Sequence, residues 1–135
     1  MARKLVIIDE QALARHRVRQ AAASPLDTVL EFATPAEALK VLDAFQPDCV
    51  MLGVTCPPPN TFNAIRSIRK KMPEVRVVAV NSYHDAEMRQ AAADAGASGY
   101  VTAQDLSQLY LLAAPERLAD DVPPRTSVRA GTKKK

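Results

Sequence analysis

The residues able to do chemistry are few, and their spacing excludes most of the chemistry they might support. Cys49 and Cys56 stand seven positions apart with no histidine nearby, which fits neither a CxxC redox pair nor a zinc-ligand spacing. They read as two reduced thiols in or beside a strand. His16 and His84 are isolated and read as surface positions. The four glycines, Gly53, Gly96, Gly99 and Gly131, form no GxGxxG phosphate loop. No nucleophile and base share a motif, so an enzyme is not expected. What remains are polar or small residues that close short apolar runs: Asp9-Glu10, Gly53-Val54, Asn81-Ser82 and Thr102-Ala103. The acid pair Asp9-Glu10 reads in the first instance as a hydrated strand end.

Those runs define the elements. Leu5–Ile8 is apolar throughout and β-branched at three of its four positions, the pattern of a strand buried on both faces. Further strands are predicted at Thr28–Phe32, Cys49–Leu52, Val75–Val80 and Gly99–Thr102. Helical segments lie between and after them: Leu13–Ala23, Pro35–Phe45, Thr61–Lys71, Asp85–Ala95 and Leu106–Leu112. Thr34-Pro35-Ala36-Glu37 supplies an N-cap, a proline at the first helical position and a glutamate three residues after the cap. Gly96 is a natural residue to close the fourth helix. Five β-α units of this kind predict an open parallel sheet with helices on both faces. Any ligand cleft should then lie at the carboxyl ends of the strands.

With 135 residues and 47% apolar composition, the chain can bury a core without disulfides or metals. No apolar run is long enough for a spanning helix, and Leu5–Ile8 is too short for a signal-peptide core, so a cytoplasmic location without membrane contact is expected. The net charge of +3 belongs to the end of the chain. Residues 123–135 carry Arg125, Arg129, Lys133, Lys134 and Lys135 and no acid, which leaves residues 1–122 mildly acidic. We read residues 1–119 as one domain and 120–135 as a basic, disordered tail.

Lys4-Leu-Val-Ile-Ile-Asp-Glu10, Pro47-Asp-Cys-Val-Met-Leu-Gly53, Pro57, Val77-Val-Ala-Val-Asn-Ser82 and Ala95-Gly-Ala-Ser-Gly-Tyr-Val101 together resemble a bacterial response-regulator receiver domain over about residues 4–118. The resemblance implies a flavodoxin-like (βα)5 fold with strand order 2-1-3-4-5. It also implies phosphoryl transfer from a histidine kinase to an aspartate at the end of the third strand. That chemistry needs a carboxylate nucleophile, Mg²⁺ held by acids at the end of the first strand, a hydroxyl after the fourth and a lysine after the fifth. Asp9 and Glu10 supply the acid pair. Gly53 stands at the acceptor position, Asn81 at the hydroxyl position and Ala103 at the lysine position. Mg²⁺ binding is therefore expected to be weak or absent, and no cofactor is expected. Tyr100 occupies the place of the receiver's aromatic switch, and is equally consistent with a tyrosine packed on the neighbouring helix.

The sequence thus reads as a degenerate receiver, a phosphorylation-independent interaction module of bacterial two-component signalling. Receivers engage partners through the first helix and through the face of the fourth helix, fifth strand and fifth helix. The matching residues, expected to be exposed, are Arg15 and Arg19, then Met88, Arg89, Tyr100, Leu109 and Tyr110. The expected partner is another signalling protein or a second copy bound through the latter face. Two other functions stay open: polyanion binding through the tail and first helix, with nucleic acid disfavoured as a partner, and small-molecule sensing in the vacated strand-end cleft. Pro57-Pro58-Pro59 either stiffens the loop after the third strand or is tolerated filler there.

Overall fold

The computed structural model describes residues 2–54, 58–82 and 84–113. The basic tail, Cys56 and Pro57 lie outside the described residues. Five parallel strands, β1 (Lys4–Ile8), β2 (Thr28–Phe32), β3 (Cys49–Gly53), β4 (Arg76–Asn81) and β5 (Gly99–Thr102), form one sheet in the order β2-β1-β3-β4-β5. This is the expected doubly wound order. Alternation along the strands divides the core in two. Val6, Ile8, Val50 and Leu52 face one side, under α2 (Pro35–Leu39), α3 (Leu42–Phe45), α4 (Pro59–Lys71) and α5 (Ala86–Ala95). Leu5, Ile7, Cys49 and Met51 face the other, under α1 (Ala12–Ala22) and α6 (Leu109–Leu112). Central strands buried on both faces need continuous apolar runs, which explains their legibility. Among the described residues no helix is long and apolar enough to cross a membrane.

Local signals act as read in several places. Thr34 Oγ1 accepts the Glu37 N–H at 3.3 Å and caps α2. Gly96 closes α5 at φ 114°, a left-handed conformation that costs a residue without Cβ little. Its carbonyl then accepts two N–H groups of Arg69 from α4, at 3.1 and 2.8 Å. Cys49 is buried on the α1 side, and burial pushes its thiol up to about 12, only partly opposed by Arg76 and Arg3. At that value it is an inert core group.

Two helices depart from expectation. The segment 35–45 is not one helix. Val41 adopts φ −112° and ψ −4°, and its N–H bonds to Ala38 O at 3.0 Å, three residues back. The break still buries both Ala38 and Leu42 completely. The last helix likewise starts late. Residues Ala103–Gln108 form a 3-10 segment, η1, kinked at Asp105, whose carboxylate accepts the Thr102 hydroxyl at 3.0 Å. Only from Leu109 does α6 follow.

One buried ion pair ties the opposite end of the sheet together. Arg3, just before β1, is 3% exposed, and the Asp27 side chain is fully buried. The guanidinium donates to Asp27 at 2.7 Å, to Ala22 O at the end of α1, and to Tyr110 O in α6 at 2.8 Å. It also stacks 4.3 Å from the centre of the Tyr110 ring. Burial alone would raise the Asp27 pKa, but hydrogen bonds from the Arg3 side chain and the Ser24 and Arg3 N–H groups outweigh it and lower the value to about 2. A carboxyl depressed in the folded state stabilises fully above its unfolded value of 3.8 and loses that contribution as pH falls through about 2. Urea unfolding followed from neutral pH into that range should show a fall in stability that Asp27→Asn lacks. At neutral pH Asp27→Asn should cost roughly 3 kcal/mol, since it leaves the Arg3 charge buried and unpaired.

Candidate functional site

The register of β1, β3, β4 and β5 brings the sequence-identified positions to one end of the sheet. Ile8 pairs with Leu52, Gly53 with Val80, and Asn81 with Thr102. Asp9 and Gly53, each the next step along its strand from the Ile8–Leu52 pair, are therefore neighbours. Asp9 Oδ1 accepts the Gln11 N–H at 2.9 Å, which turns the chain toward α1. Its other oxygen fills the space beside Gly53. A Cβ added at residue 53 would lie 2.0 Å from Asp9 Oδ2 and 2.7 Å from its Cγ. The absent side chain at 53 is thus the room in which Asp9 sits. Glu10 is exposed next to it.

Asn81 is buried, and its amide is fully occupied. Oδ1 accepts the Ser82 N–H at 2.8 Å, while Nδ2 donates to the Tyr100 hydroxyl at 2.6 Å and approaches Met88 Sδ at 3.7 Å. A buried amide without such partners would cost about 1–3 kcal/mol. Tyr100 therefore points inward, against the α5 side of the core, and Arg89 stacks on its ring 4.9 Å from the centre. Ala103 lies exposed at the mouth of the cleft. Asp9 stands between two small chambers. One of about 100 Å³ lies toward Glu10, Gly53 and Thr61. The other, about 150 Å³, lies toward α1 and η1 and has Arg17, Ser82 and Ala103 at its rim.

The metal that the receiver resemblance implies does not fit these residues. Mg²⁺ asks for near-octahedral oxygen ligands. Here one Asp9 oxygen is held by Gln11, Gly53 contributes no carboxylate, and the Gly53 carbonyl accepts the Thr61 hydroxyl at 3.3 Å. No group of three or more His, Cys, Asp or Glu able to hold a metal occurs among the described residues.

The expected exposed surface needs correction. Leu109 is completely buried and Tyr100 is 8% exposed. The late start of α6 rotates Leu109 under the sheet with Val101 and Met51, and the Asn81 bond draws Tyr100 inward. Met88 is half-buried over Asn81, while Arg89 and Tyr110 remain exposed. On α1 both Arg15 and Arg19 pair with Glu31 of β2, at 3.4 and 2.8 Å. Arg15 also donates to Asp9 O at 2.6 Å and so braces the site from outside. Arg3 and Glu31 carry roles that spacing alone did not reveal, because each depends on a partner in another element.

Residues 5–111 match the family model described as the response regulator receiver domain. Over 115 residues the chain is 33% identical to the DNA-binding transcriptional activator DevR/DosR of Mycobacterium tuberculosis (strain ATCC 25618 / H37Rv), covering 84% of this chain and 52% of that protein. Over 99 residues it is 31% identical to the uncharacterized transcriptional regulatory protein YhcZ of Bacillus subtilis (strain 168), covering 72% and 46%. The chain thus spans about half the length of these curated relatives. Among solved structures, a response regulator from Thermotoga maritima superposes with a TM-score of 0.73 at 23% identity, over 89% of this chain and 97% of that one. That likeness concerns the fold.

The shared space of Asp9 and residue 53 has a measurable signature. Gly53→Ala forces Asp9 to rotate and release Gln11, so it should destabilise by about 1 kcal/mol. In an Asp9→Ala background the same substitution should be neutral or stabilising, a coupling of roughly 1–2 kcal/mol in a urea double-mutant cycle. Equal effects in both backgrounds would show that the two side chains do not compete.

Proposed function

Because the chain belongs to the response-regulator receiver family, we propose that it serves two-component signalling as a receiver independent of aspartyl phosphorylation, acting through protein contacts. The observation that carries this reading is the occupation of the residue-53 side-chain space by Asp9. Phosphoryl transfer to a carboxylate needs a nucleophile with room for an in-line phosphorus and cations around its oxygens. This strand end offers a glycine, a half-engaged aspartate and, at the position of the family's lysine, Ala103. Asp48 does not substitute. It lies at the far end of β3, where its carboxylate accepts the Lys4 N–H at 2.8 Å.

The hydroxyl position points the same way. In a working receiver the residue after the fourth strand moves toward the phosphoryl group and the aromatic residue follows. Here Asn81 already holds Tyr100 inward and Met88 over it. The face formed by α5, β5 and α6 is accordingly held in one arrangement, with Arg89 and Tyr110 exposed upon it. Its partner is a second signalling protein or a second copy of this chain. Polyanion binding through α1 is weaker as a reading, since Glu31 neutralises part of the charge of Arg15 and Arg19.

Incubation with acetyl phosphate and Mg²⁺, followed by intact-mass spectrometry, should leave the mass unchanged. Beryllofluoride should likewise produce no NMR shifts centred on Gly53, Asn81 and Ala103. A phosphoryl adduct would overturn the proposal. Gly53→Asp alone is expected to stay unphosphorylated, because it restores neither the lysine at 103 nor the space that Asp9 fills.

A further inference from the structure

The larger chamber at the strand ends, about 150 Å³, opens to solvent and is lined by two opposite charges, by neutral polar side chains and by aliphatic ones. Asp9 borders it from β1 and Arg17 from α1, yet the two form no ion pair with each other. Arg17 has no hydrogen bond or ion pair with any described residue, unlike Arg15 and Arg19, which Glu31 holds. Val18, Val54, Val80 and Leu106 line the chamber as well, together with the polar Gln11, Asn81 and Ser82.

We infer that this chamber binds a small zwitterion with an aliphatic body, of the class of a free branched-chain amino acid. The ligand's ammonium group pairs with Asp9, its carboxylate with Arg17, and its side chain lies against the valines and Leu106. Charge selects this class. A simple anion meets the negative charge of Asp9 and a simple cation meets Arg17, so each gains one contact and suffers one repulsion. A zwitterion satisfies both, and its apolar body displaces water from the aliphatic wall. The short side chain of Ala103 leaves the mouth open, and Gly53 lets Asp9 keep its place. The inference rests on the reading that this strand end is not a phosphoryl site.

Titration of the ¹⁵N-labelled protein with L-leucine and L-valine at millimolar concentrations, followed by NMR, tests it. Saturable shifts are expected at the amides of Arg17, Ser82 and Ala103. Isoamylamine, which lacks the carboxylate, and 4-methylpentanoate, which lacks the ammonium group, should each bind at least about tenfold more weakly, since each forfeits one charged hydrogen bond. Arg17→Ala, at an exposed helix position, and Ala103→Leu, which fills the mouth without touching either charge, should each abolish saturation. Absence of saturable shifts with both amino acids overturns the inference. So does binding of 4-methylpentanoate as tight as that of leucine, or full binding by Arg17→Ala. Failure here with no phosphoryl adduct on intact mass would sink the ligand site alone, whereas an adduct would sink the reading beneath it.

Discussion

Two atoms cannot share one volume, and at the carboxyl end of this sheet that rule decides the rest. Parallel register sets the strand ends of β1 and β3 side by side, and the Asp9 carboxylate has turned into the space that a side chain at 53 would need. The turn is fixed by the Gln11 N–H and braced by Arg15 on the Asp9 carbonyl. Without a side chain at 53, the Asp9 carboxylate is free to become part of the loop leading into α1. The neighbouring strand completes the change, because Asn81 spends its whole amide on Ser82, Tyr100 and Met88. A site whose polar groups already satisfy one another has little reason to rearrange.

The two faces of the sheet respond differently to this arrangement. On the α5 side the Asn81–Tyr100 bond joins the strand ends to the core through a ring that is itself packed. On the α1 side the charged groups are arranged in layers. Glu31 binds the two arginines nearest the sheet edge and leaves Arg17 facing the cleft. Residues three or four apart on a helix share a face, but the composition of α1 does not say which of its arginines has an acid opposite. That depends on β2, which the α1 crossover sets beside β1 in the sheet.

The legible parts of the fold are those set by short-range pattern. Continuous apolar runs gave the buried strands, and the Thr34–Glu37 cap and Gly96 marked helix ends by local chemistry. The residues at 53, 81 and 103 were equally plain in the sequence. What they do to one another was not, because the Asp9–Gly53 contact arises from inter-strand register. Periodicity also misled in two places. Both Ala38 and Leu42 satisfy helical spacing, yet the chain breaks between them at Val41. A helix over 106–112 was expected, but which of its residues faces inward follows from the phase set by η1, and this placed Leu109 in the core.

The Arg3 knot has a mechanical corollary. A single guanidinium grips the carbonyl of Tyr110 in α6 and at the same time the turn that leads into β2, from a residue one step before β1. Tension on the polypeptide downstream of Ala113 is thus borne by the root of the sheet before any strand can peel. A neighbour docked there would pull against an anchor at one pole while Asp9 and Gly53 lie at the other.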